Sequence, residues 1–137
     1  MKSLALITLA AGVVWGSATP AAGANFELPD YRGAHYTPAA ESFLQCAAMR
    51  ESSGRWRADG PHGSGAWQII QPTWNHYADL AGYPEWVGQR AATAPPYVQT
   101  EVAYLMVNPH PKRKGLEGRH HWHPRHALTV GKRIEAC

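Results

Sequence analysis

Glu51 closes a run of helix-spaced apolar residues, and no other carboxylate in the chain has so clear a setting for acid chemistry. Ala40, Leu44, Ala47 and Ala48 form an apolar stripe at helical spacing, and one further turn lands on Glu51. A carboxylate on the apolar side of a helix loses hydration, and in the last turn it also meets the negative end of the helix dipole. Both effects oppose ionisation, so the position predicts a carboxyl that holds its proton and can deliver it as a general acid. The competing interpretation is a helix-terminal Glu paired at the surface with Arg50, Arg55 or Arg57.

The residues after Glu51 bear on that choice. Glu51-Ser52-Ser53-Gly54-Arg55-Trp56 is followed by the Gly-rich stretch ending in Gly65-Ala66-Trp67-Gln68-Ile69, and then by Gln71-Pro72-Thr73-Trp74. Gly63 and Gly65 permit a tight turn and close approach of backbone to a ligand. Gln68 can offer a donor and an acceptor to an N-acetyl or hydroxyl group, or pin its own loop. Trp67 suits either the core or a binding wall, and Trp56 and Trp74 are mainly structural by the same weighing.

This arrangement resembles the core domain of resuscitation-promoting factors and, more distantly, the soluble lytic transglycosylases of the lysozyme-like superfamily. The resemblance spans about Phe43 to Met106. It implies a mainly α, α+β lysozyme-like fold: a small single domain of helices around a cleft, with a Gly-rich loop or short hairpin and one disulfide. It implies a secreted glycosidase, a muramidase or lytic transglycosylase, cutting the β-1,4 bond between N-acetylmuramic acid and N-acetylglucosamine in peptidoglycan. Glu51 would be its single catalytic acid and base. Gln68, Trp67, Gly65, Thr73, Trp74, Tyr104 and Trp122 would contact the glycan strand. Neither a metal nor a cofactor is called for. A wall-binding protein without turnover is the alternative from another class, and a metal-binding protein built on the His-rich loop is a third, less favoured one.

Two-carboxylate glycosidases need a second acid across the scissile bond. Asp59, Asp79, Glu85, Glu101, Glu117 and Glu135 are available, but none sits in a matched motif. The first Cys also departs from the family pattern, lying five residues before the Glu rather than next to it. His120, His121, His123 and His126 contain a His-x-His pair of the kind zinc uses. No carboxylate or Cys stands beside them, so a solvated basic loop is favoured over a metal site.

These side chains need helices to hold them. Thr37-Pro38 is a helix start, with Thr as N-cap and Pro in the first turn, and the helix runs to about Ser52. A short strand is expected at Ala66 to Ile70. A second helix opens at Pro72 and stops near Ala81-Gly82, and a further turn follows at Pro84 to Val87. Pro95-Pro96 introduces a third helix, with Val98, Val102, Leu105 and Met106 buried, ended by Asn108-Pro109. His110 to Arg125 is assigned no regular structure, and a short helix is expected at Ala127 to Glu135.

The 137 residues suit one domain. Lys2, the apolar run Leu4 to Trp15 and Ala22-Gly23-Ala24 read as a signal peptide over residues 1–24, cut near Ala24. An arm over 25–36 and a domain over 37–137 follow. The expected location is secreted or associated with the cell wall, with no stable membrane insertion after cleavage. Cys46 and Cys137, the only two cysteines, suit one disulfide in an exported chain, with two free thiols as the alternative. Without the leader, 12 basic residues face 10 acidic ones, too mild a surplus for nucleic acid. The partner expected is a peptidoglycan glycan strand, met by a monomer.

Overall fold

A computed structural model describes residues 26–110, 116–122 and 137 of the chain. Three helices make the frame: α1 over Pro38–Ser52, α2 over Gln71–Leu80 and α3 over Pro96–Val107. Single 3-10 turns lie at Pro84–Trp86, Ala91–Thr93 and Glu117–His121.

Local chemistry explains the boundaries. Thr37 is extended, and its Oγ1 accepts the N–H of Ala40 at 3.0 Å, while Pro38 occupies the first turn where no N–H is required. At the other end Ser53 turns left-handed at φ 56°. Its N–H reaches Met49 O, and that of Gly54 reaches Ala48 O at 3.1 Å. These paired bonds use up the last carbonyls of α1 and stop it at Glu51-Ser52. Helix α2 ends the same way at Gly82, and α3 ends at Asn108, before Pro109.

Helix α3 is the centre of the domain. Val98, Val102, Ala103, Tyr104, Met106 and Val107 are all buried, so it has apolar contacts on most sides rather than one stripe. It packs on α1, on α2 and on the turn Glu117–His121. The last contact is between backbones: a Cβ on Gly118 would collide with Met106 O. Phe43, Leu44, Ala47 and Ala48 of α1 and Trp74 and Ala78 of α2 complete the core. The arm before α1 packs on it too, with Phe26 against Trp56 and Trp67 and Tyr31 stacked on Tyr104 at 4.6 Å. Cys46 on α1 is bonded to Cys137, with a Cα–Cα distance of 5.5 Å. No helix among the described residues is long and apolar enough to cross a membrane.

The expected α+β lysozyme-like architecture is corrected here. Among the described residues there is no sheet, and the strand predicted at Ala66 to Ile70 reduces to one isolated bridge, Ser64 to Ile69, beside a second from Asp59 to Ser64. The reason is local. Gly65 and Gln68 both take positive φ, at 78° and 50°, so the stretch turns twice within four residues and cannot stay in register. Its backbone finds partners in side chains instead. Gln99 Oε1 accepts from Ala66 N–H, and Ser52 Oγ donates to Ala66 O at 2.7 Å.

A second difference is the 3-10 turn at Glu117–His121, in a segment assigned no regular structure from sequence. The expected helix at Ala127 to Glu135 lies outside the described residues, as do His123 and His126.

Candidate functional site

Three stretches far apart in sequence meet at one notch. The loop end Gln68-Ile69-Ile70, Thr73 on α2, Met106 on α3 and His121-Trp122 surround a space of about 110 Å³. The second wall is held from two directions. Arg50 Nη2 donates to Trp122 O at 3.2 Å, and the Trp122 indole N–H donates to Trp67 O at 3.0 Å. His121 Nε2 lies 3.2 Å from the Tyr77 hydroxyl, with the two rings edge to face.

Glu51 joins this assembly through its neighbour. Its Oε1 is 3.6 Å from Arg50 Nη2, the same atom that binds Trp122 O. Glu51 is partly withdrawn from water, with 29% of its side chain open to solvent, and the Arg50 guanidinium stands beside it. The packing that buries Ala47 and Ala48 continues to Ser52, so Glu51 lies at its edge.

The predicted contact residues divide into two groups. Gln68, Thr73 and Trp122 line the notch. Trp67, Trp74 and Tyr104 are core, at 1%, 0% and 0% exposure. The Trp67 indole donates to Leu44 O and that of Trp74 to Trp86 O, so both rings are pinned inside. Gly65 is buried and serves the turn. Gln68 spends both amide protons on the loop, donating to Gly65 O and Ala58 O. Trp122 is itself 7% exposed, so it meets the notch by an edge rather than an open face.

Three of the six candidate second carboxylates are engaged elsewhere, and Glu135 lies outside the described residues. Asp59 is gripped by Arg90, at 2.9 Å from Nε and 2.6 Å from Nη2; Arg90 also donates to Gly60 O and Gly63 O. The Arg90 guanidinium holds the Asp59 carboxyl below its ordinary range, with a smaller contribution from Ser64. Glu101 accepts from the Tyr83 hydroxyl at 2.7 Å, which together with burial drives that phenol up. Glu117 stands 3.8 Å from His110.

Among the described residues no three His, Cys, Asp or Glu side chains gather where they could hold a metal. The His120 and His121 rings lie tilted against each other at 4.3 Å, and His120 Nδ1 is 2.8 Å from Glu117 O. Burial pushes the His121 imidazole below its usual range, and neighbouring His120 adds to this.

Comparison with protein-family models, with curated proteins and with solved structures gives no match to the chain. The resemblance to resuscitation-promoting factors and lytic transglycosylases is therefore overturned together with the α+β fold it implied. With it falls the assignment as a glycosidase, muramidase or lytic transglycosylase. The groove built on a sheet and the cluster of catalytic side chains that such an enzyme calls for are not found among the described residues. The chain carries a small helical domain with a notch of mixed polar and apolar lining.

Sequence reasoning missed two residues that organise this region. Arg50 was weighed only as a surface partner of Glu51, although it ties α1 to Trp122. Gln99 was absent from the candidates. Its signal was available: a Gln inside the apolar pattern of α3 is a buried polar group that must have partners.

Proposed function

We propose that this chain is a non-catalytic binding domain for N-acetylated glycan strands of peptidoglycan, acting outside the cytoplasm. The observation that carries the proposal is the character of the notch. Ile70, Met106 and Trp122 supply apolar surface, while the Thr73 hydroxyl and the His121 imidazole supply polar groups within the same small volume. An acetamido group has this dual nature, with a methyl on one side and an amide on the other. A volume of about 110 Å³ suits one such substituent, with the rest of the sugar lying outside. Glu51, partly open to water beside Arg50, is suited to accept hydrogen bonds from sugar hydroxyls.

An extracytoplasmic setting is supported by the Cys46–Cys137 bond and by the leader-like residues 1–24. The test is co-sedimentation of the purified protein with insoluble peptidoglycan, before and after chemical removal of N-acetyl groups. Saturable binding, lost after de-N-acetylation and weakened several-fold by Thr73→Ala or Glu51→Gln, is expected. No binding to intact walls, equal binding to de-acetylated walls, or release of soluble sugar fragments would each overturn the proposal.

A further inference from the structure

A second, larger depression lies apart from the notch and shares no lining residue with it. Gly54, Arg55, Trp56, Arg57 and Ala58 form one side, and Ala94 and Pro96 the other, around about 540 Å³. Five of the seven lining residues are apolar or glycine, and the other two are arginines.

The charge on this surface is uncompensated among the described residues. Arg55 donates through Nε to Ser52 O at 2.9 Å, which leaves its terminal nitrogens unspent, and Arg57 makes no ion pair. The nearest acid in sequence, Asp59, is already bound by Arg90. No acidic side chain stands in the first turn of α3, which opens at Pro96. Two guanidinium groups beside an indole and a proline therefore face solvent with no anion to balance them.

The strip that carries them is rigid. Gly54 N–H bonds Ala48 O and Arg55 N–H bonds Ser52 Oγ. Trp56 O accepts from Gln99 Nε2, and Ala58 O accepts from Gly65 N–H at 2.7 Å. Trp56 is also wedged between the rings of Phe26 and Trp67, at 5.0 and 5.4 Å. Such preorganisation lowers the entropy cost of binding.

We infer that this depression binds a carboxylate borne on a short apolar chain, of the kind a peptide C-terminus presents. Arginine pairs carboxylates through two parallel N–H bonds, and the apolar walls cover the chain that carries it. The volume favours this over a bare inorganic anion, since it falls in the range of small-molecule sites, roughly 300–1,000 Å³.

The experiment is a nuclear magnetic resonance titration of the whole domain with acetyl-alanyl-alanine, with the C-terminal amide of the same peptide, and with inorganic phosphate. The free-acid peptide is expected to shift the Trp56 indole N–H and the Arg57 Nε–H saturably. Blocking the carboxylate as the amide weakens binding about tenfold, as does Arg57→Gln. Arg57 is exposed and holds nothing in place, so its variant stays folded, which an unmoved Trp67 indole signal verifies. Arg55→Gln, tested separately, should weaken the peptide in the same way. Equal binding of acid and amide, unchanged affinity in both arginine variants, or tighter binding of phosphate than of the peptide would each overturn the inference. The titration is independent of wall binding, because no notch residue is involved.

Discussion

Gln99 in the first turn of α3 holds the backbone of Ala66 in the Gly-rich loop, its Oε1 accepting that residue's N–H at 3.0 Å. From the other end of the same amide, Nε2 donates to Trp56 O and Ala94 O. One side chain, 1% exposed, thus satisfies three backbone groups from separate stretches. It takes the place a neighbouring strand would fill in a sheet. Replacing it with Leu keeps similar volume but strands those groups. A loss of about 3 kcal/mol is expected in urea unfolding, with faster hydrogen exchange at Ala66. A loss under 1 kcal/mol would show that water replaces the amide.

The disulfide ties α1 to residue 137 across a sequence separation of 91. On the chain-entropy model, closing so long a loop stabilises the fold by about 4 kcal/mol. Cys46→Ser combined with Cys137→Ser should lower the urea midpoint accordingly, and reduction of the wild type should reproduce the same shift. A midpoint unchanged by both treatments would mean the bond contributes nothing to the folded state.

Tyr104 is wholly buried, yet its hydroxyl has no hydrogen-bond partner among the described residues. Its ring stacks on Tyr31, and the phenol is driven up by burial and, to a lesser extent, by Glu41. An unpartnered buried hydroxyl costs free energy, whereas the ring contributes packing. Tyr104→Phe is therefore expected to leave stability unchanged or raise it by about 1 kcal/mol, and to leave wall binding intact. A clear drop in the melting temperature would sink this account.

His121 carries the pH dependence of the turn that borders the notch. Burial first, and the charge of His120 second, favour its neutral form in the folded chain. A depressed folded value means that the turn is fully seated above the unfolded value of 6.5. Stability is then lost as pH falls below 6.5 through the lower folded value. Between pH 7 and pH 5, the Trp122 indole signal should move toward its solvent-exposed position. His121→Gln should abolish that movement. A pH-independent signal in the wild type would exclude His121 as its cause.

Gly118 is needed where the turn touches α3, since a Cβ there would collide with the carbonyl of Met106. Gly118→Ala must push the turn outward, because the obstacle is backbone and cannot rotate away. Loss of about 2 kcal/mol and weaker wall binding are expected together, read by urea unfolding and co-sedimentation. Unaltered wall binding in a measurably destabilised variant would separate the turn from the notch.

The helices were readable because their signals are local. Thr37-Pro38, Pro72, Pro95-Pro96, Gly82 and Asn108-Pro109 act within a few residues, through missing N–H groups, caps and positive φ. The strand at Ala66 to Ile70 was misread because alternating Trp67 and Ile69 look like one face of a strand. Both are in fact buried by turns at Gly65 and Gln68. The aromatic residues were hard to place for a related reason: a Trp near a Gly-rich loop has the same identity whether it faces a ligand or the core. Burial of Trp67, Trp74 and Tyr104 distinguishes them, and burial is a property of the packed chain.

By itself, the order of residues determined three helices and their ends, and supplied two cysteines able to form one bond. Those features depend on short-range backbone chemistry and on composition. Tertiary packing decided that Glu51 lies partly open beside Arg50, that Gln99 stands in for a strand, and that Thr73, Met106 and His121 share one notch. Contacts between residues tens of positions apart depend on how α3 is covered from several sides at once, and no local spacing records that.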